Sequence, residues 1–159
     1  MRGNDRNLRG LDAAQVEALI NRHFPQIHVG GRTMLIEDAG ARRARVRLRK
    51  QDHHLRPGGT LSGPTMFTLA DFSTYVAIIA TLGEAGVAAV TTNLNINFLA
   101  KPAPRDLISV VRLIRVGRRL AVGEAQLYSE GTTDPVAHAT ATYALASAGA
   151  CSGNILPSC

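Results

Sequence analysis

The chain has 159 residues, 45% of them hydrophobic and 19% charged, the balance of one globular unit with a sizeable core. Aromatic residues make up 4% and tryptophan is absent, so the core must be built from Ala, Val, Leu and Ile. The net charge of +6 favours anionic partners, a class that includes nucleic acid, an anionic membrane surface and phosphate-bearing small molecules.

Cys151 and Cys159 both lie in the C-terminal tail, which is neither a disulfide framework nor a metal cluster. The start, Met1 to Arg6, lacks the apolar stretch of a signal peptide. A reducing, cytoplasmic setting is the expectation.

Leu11 to Phe24 reads as a helix, with Leu11, Val16, Leu19 and Ile20 near helical spacing, Asp12 in its first turn and Pro25 ending it. Ile27 to Glu37 reads as a strand with Gly30 and Gly31 as a bulge. Ala41 to Lys50 is a clearer strand: Ala44, Val46 and Leu48 alternate with Arg43, Arg45, Arg47 and Arg49. The two form a hairpin turning near Asp38 to Gly40. Gln51 to Gly63 is a polar loop. Pro64 opens a long apolar helix that runs to about Leu82 and stops at Gly83.

Four more strands follow. Val90 to Phe98 sets Thr92, Leu94, Ile96 and Phe98 against Thr91, Asn93, Asn95 and Asn97. Leu107 to Val116, Leu120 to Ser129 and Val136 to Leu145 are joined by turns at Gly117 to Arg119 and Gly131 to Asp134. The residues from Ser147 read as a small, polar, poorly ordered tail. A helix apolar on nearly every face must be covered nearly all round. An antiparallel meander curved around it does that, giving an α+β fold.

From Pro57 to Gly83 the single charged side chain is Asp71. An unpaired carboxylate in an apolar helix is costly, so Asp71 must face a polar partner, a cleft or a subunit interface. This argues against a membrane span and for a buried core helix. From position alone, a reactive carboxylate and one satisfied by hydroxyls such as Ser73 or Thr74 are equally well supported. The loop Gly58 to Pro64 places backbone N–H groups at the helix N-terminus, where negative charge is favoured, with Ser62 or Gly63 as the cap.

The run Gly59-Thr-Leu-Ser-Gly-Pro-Thr-Met-Phe-Thr-Leu-Ala-Asp71, followed by Ala88 to Pro102 with Phe98-Leu-Ala-Lys-Pro102, resembles the PaaI-type acyl-CoA thioesterases of the hotdog superfamily. The resemblance covers roughly Leu55 to Leu145. It implies a hotdog fold, a curved antiparallel sheet wrapped around one central helix. The implied divisions are an N-terminal segment and helix over 1–24, the hotdog domain over 25–146 and the tail over 147–159.

The resemblance also implies a catalytic role for Asp71, as general base on water or as nucleophile on the thioester carbon. Gly63 matches the glycine whose N–H polarises the thioester carbonyl. Ser62 stands where the family usually has His, and Pro64 replaces a second glycine. Arg56 stands where an Asn or Gln often positions water or substrate. Tyr75 lies where relatives can carry a Thr hydroxyl. Asn95, with Asn93 and Asn97, lies on a strand that forms the family's dimer seam. Arg118 and Arg119, with Lys101 and Arg105 on the neighbouring turn, are candidates for the coenzyme A phosphates.

The implied partner set is an acyl-CoA substrate and a second copy of the chain, as a homodimer or homotetramer, with no nucleic acid, membrane, metal or cofactor. The alternatives are a non-catalytic acyl-CoA-binding protein and, behind it, a basic nucleic-acid-binding domain. The arginine face lacks interleaved aromatic residues on which bases could stack. A hydratase needs a catalytic His near the helix, and none lies between Pro57 and Gly83. His53 and His54 read as solvated loop residues.

Overall fold

The computed structural model describes residues 9–146. Helix α1 (Ala13–His23) begins at Asp12, which is the cap itself rather than a first-turn residue. Its carboxylate accepts from the Gln15 N–H, and the Gln15 side chain reaches back to the Asp12 N–H. Val16 and Ile20, one turn apart, bury the inner stripe of α1 in the main core.

The expected strand from Ile27 is corrected. Pro25–His28 forms a 3-10 turn, and strand β1 covers Met34–Gly40. Gly30 and Gly31 have φ of +88° and +108°, so they turn the chain before the strand instead of bulging it. The irregularity in β1 lies between Ile36 and Asp38, and the hairpin turn falls at Ala41-Arg42, where Arg42 takes φ of 63°.

Strand β2 (Arg43–Leu48) buries Ala44, Val46 and Leu48, as its alternation predicts. The polar loop after it holds a 3-10 turn at Asp52–His54 and a small hairpin, β3 (Leu55–Arg56) with β4 (Thr60–Leu61). The long helix α2 (Gly63–Leu82) and strands β5 (Val90–Phe98), β6 (Leu107–Val116), β7 (Leu120–Ser129) and β8 (Ala137–Ala144) follow the sequence reading closely.

The sheet order is β1-β2-β6-β7-β8-β5, antiparallel throughout. The expected four-strand meander is therefore corrected to three strands. β6, β7 and β8 are consecutive neighbours, while β5 crosses to the far edge and pairs with β8.

All six strands touch α2. Leu69, Val76, Ile78 and Ile79 of α2 are fully buried. Each such side chain contributes roughly 1.5–3 kcal/mol before conformational entropy is counted. By length and composition Gly63–Gly86 would pass for a membrane span, yet 67% of its most apolar window lies inside the protein.

Small residues let the sheet come close to α2. Ala121, Ala125, Ala137, Ala139 and Ala141 all point inward from β7 and β8. A Cβ at Gly123 would lie 2.9 Å from Leu113 Cδ2 and 3.3 Å from Thr74 Cγ2. The two polar side chains buried where α2 crosses β6 satisfy each other: Ser73 Oγ and Ser109 Oγ are 2.7 Å apart.

Candidate active site

Asp71 projects from the third turn of α2 and stands half-buried on the wall of a cleft of about 580 Å³. The cleft is chiefly apolar. Phe24 and Ile27 come from the N-terminal segment, Phe72 and Tyr75 from α2, and Val90 and Tyr143 from the sheet.

Two hydroxyls hold the carboxylate. Thr91 Oγ1 donates to Asp71 Oδ1 at 2.8 Å, and the Tyr143 hydroxyl donates to the same oxygen at 2.6 Å. Tyr143 also reaches the Asp71 backbone carbonyl at 2.8 Å. Oδ2 has no hydrogen-bond partner among the described residues. The hydroxyls of Ser73 and Thr74 do not reach Asp71; they bond back to carbonyls of their own helix.

Thr91 gets there through a strand irregularity. The register of β5 against β8 shifts between Thr91 and Asn93. The shift breaks the period-two alternation, so Thr91 joins the helix side along with Leu94 and Ile96. Tyr143 is 3% exposed and follows Ala137, Ala139 and Ala141 on the inner face of β8. Burial and the bond to Asp71 push its phenol above the usual range, so it remains a proton donor.

Gly63 is the first residue of α2. Ser62 is the N-cap, and its Oγ accepts from the Thr65 N–H at 3.3 Å and pairs with Thr65 Oγ1 at 2.8 Å. That leaves the Gly63 N–H without a protein partner among the described residues. A Cβ at Gly63 would lie 3.2 Å from the Phe98 ring. Gly63 shares a second cleft, of about 440 Å³, with Arg56 and Lys101. Pro64 lines a third cleft with Ser62 and His54.

Asp71 and Gly63 are eight residues apart on one helix, a rise of about 12 Å. A single carbonyl cannot meet both groups within one chain.

Of the other sequence-derived candidates, Tyr75 lines the Asp71 cleft, and Asn95, Arg118 and Arg119 lie outside it. Tyr75 presents its ring to the cleft while its hydroxyl is committed to the Val87 carbonyl at 2.6 Å. Asn95 is exposed on the face of β5 opposite Leu94 and Ile96, away from α2. Arg118 and Arg119 follow the end of β6, whereas Lys101 and Arg105 precede its start. The two pairs therefore sit at opposite ends of a ten-residue strand, about 33 Å long, and not on neighbouring turns.

His54 is buried, contrary to the solvated reading. Its Nδ1 accepts from the Gln51 N–H at 3.0 Å, and its carbonyl accepts from the Ser62 N–H at 2.9 Å. Burial, with the neighbouring His53 charge, holds its pKa below the usual histidine range. The outer face of β2 is solvated and paired, with Arg43 on Asp38 and Arg45 on Glu37. Arg47 bridges Glu37, Asp106 and Glu130. Cys151, Cys159 and the tail from Ser147 lie outside the described residues.

Residues 58–136, the stretch that carries β4, α2 and the strands through β7, match the model of the thioesterase superfamily. The candidate thioesterase of Silicibacter sp. TM1040 is 42% identical, with a TM-score of 0.77 over 89% of this chain and 96% of that one.

The chain belongs to the thioesterase superfamily.

Another solved member, a candidate thioesterase of Ralstonia eutropha JMP134 described as phenylacetic acid degradation-related, is 31% identical to this thioesterase-superfamily chain. Its TM-score is 0.60 over 65% of this chain and 76% of that one. Mouse thioesterase superfamily member 2 is 18% identical with a TM-score of 0.71, over 84% of this chain and 97% of that one, a likeness of fold. No curated protein matches the chain. The sheet wrapped around α2 is thus the hotdog fold, and thioester hydrolysis is the general activity of this superfamily.

Proposed function

We propose that this protein hydrolyses acyl-CoA thioesters of the PaaI type, with Asp71 as the reacting carboxylate. The observation that carries the reading is a carboxylate on an apolar cleft wall with one oxygen tied and the other free. The similarity to a thioesterase described as phenylacetic acid degradation-related supports the PaaI-type reading, and the acyl-CoA substrate is what the resemblance to that type implies.

Oδ2 takes a proton from water as the water oxygen bonds to the thioester carbon. Alternatively Oδ2 itself bonds to that carbon, and water then opens the resulting anhydride. In either route the carbonyl electron pair moves onto oxygen. An N–H at a helix start stabilises that charge. Collapse breaks the C–S bond, and the departing thiolate takes up a proton to give coenzyme A and the free acid.

The N–H comes from Gly63 of a second copy. Strand β5 is the sheet edge, and its outer side is unpaired among the described residues. Antiparallel pairing of two β5 edges about a two-fold axis sets the Val90 end of one beside the Phe98 end of the other. Thr91, at the first end, bonds Asp71; Phe98, at the other, lies against Gly63. The pairing thus brings each Asp71 toward the other copy's Gly63, in a homodimer or a homotetramer built from it. It also draws Arg118 and Arg119 toward the other copy's Arg56 and Lys101, cations suited to the coenzyme A phosphates. Ser62 serves this site by capping α2 and leaving the Gly63 N–H free.

The second reading is an acyl-CoA-binding protein without turnover, supported by Ser62 being occupied as a cap and by Pro64 offering no N–H. A panel of acyl-CoA substrates assayed for free thiol separates the two. Thiol release with an equal amount of acid is the expected result. Saturable binding of the panel without release would favour the second reading.

A further inference from the structure

We propose that Tyr143 is a positioning residue that determines which oxygen of Asp71 reacts. The inference rests on Asp71 being the reacting carboxylate.

A carboxylate on a short side chain turns through a broad, roughly two-fold torsion, so both oxygens would otherwise share the reactive position. Here Tyr143 and Thr91 both donate to Oδ1, at 2.6 and 2.8 Å. Tyr143 also bonds the Asp71 backbone carbonyl at 2.8 Å, which ties the carboxylate to the helix axis. The Tyr143 ring cannot swing away readily. It is 3% exposed and stacks on Tyr75 with ring centroids 6.4 Å apart and planes 15° apart. The rest of its strand face is alanine, so Tyr143 is the long side chain that this face of β8 sends toward α2. With Oδ1 doubly occupied, Oδ2 alone is left to approach water or the thioester carbon. Orientation of this kind acts on the chemical step and leaves ground-state binding little changed.

Besides Asp71, the titratable groups lining the cleft among the described residues are His23 from α1, Tyr75 from α2 and Tyr143 from β8; β5 brings none. Tyr143→Phe keeps the ring and removes the donor. In the full-length protein, with an acyl-CoA that the wild type hydrolyses, kcat is expected to fall about tenfold to a hundredfold with KM within about twofold. Thr91→Ser is expected to retain the wild-type kcat, and Thr91→Val to lower it with little change in KM, as Tyr143→Phe does. Thermal unfolding of each variant checks folding, and Thr91→Val carries the test if Tyr143→Phe does not fold. A folded Tyr143→Phe with unchanged kcat, beside an inactive Asp71→Asn, would overturn this inference alone. Absence of thiol release by the wild type would overturn it together with the proposed function.

Discussion

Asp71 shows how far one side chain can be read before a structure exists. A lone charge in an apolar helix has to be satisfied, and the sequence states that need without naming the partners. Thr91 and Tyr143 supply them from positions 20 and 72 residues away. Neither was legible. Thr91 belongs by strict alternation to the asparagine face, and the register shift that turns it inward leaves no mark in composition. Tyr143 carried a signal that could have found it, one large residue ending a run of inward alanines. Gly123 makes the same point about packing. Its missing side chain is where β7 meets Thr74 and Leu113, so Gly123→Ala is expected to cost about 1–3 kcal/mol through overpacking. Urea unfolding of the variant measures this, and unchanged stability would show that the contact relaxes freely.

At the scale of elements, α2 and strands β2, β6, β7 and β8 were legible because each has a clean period and a turn at both ends. The failures lie where the chain is short and irregular. Pro25–His28 and Asp52–His54 are single 3-10 turns, and β3 and β4 are two residues each. The arginine alternation of β2 gave its faces correctly but said nothing of its partners. Those partners are carboxylates from β1 and from one end of the β6–β7 pair, where Asp106 precedes β6 and Glu130 follows β7. Burial alone would raise the pKa of Glu37, but its bonds to Arg47 and Arg45 outweigh this and hold it below the ordinary glutamate range. A depressed folded pKa gives stability that is present above the unfolded value and is lost as pH falls through the folded one. Acidification below the ordinary glutamate range is therefore expected to lower Tm, and Glu37→Gln to lose part of that pH dependence. Identical acid profiles for the two proteins would mean that the cluster contributes nothing.

For the whole molecule, the sequence supplied the wrapped helix and the resemblance supplied the superfamily, while strand order and the distribution of site residues needed coordinates. β5 follows α2 in sequence but closes the far edge of the sheet, which leaves Asp71 and Gly63 at opposite ends of a strand whose outer side is unpaired among the described residues. Arg118 and Arg119 are separated from Lys101 and Arg105 by the length of β6 for the same topological reason. The proposed hydrolysis requires Asp71 to act chemically at the thioester. Thiol release by folded Asp71→Asn, on an acyl-CoA that the wild type hydrolyses, tests it most directly. A fall in kcat of about a hundredfold to ten-thousandfold is the predicted result. Turnover equal to that of the wild type would contradict it.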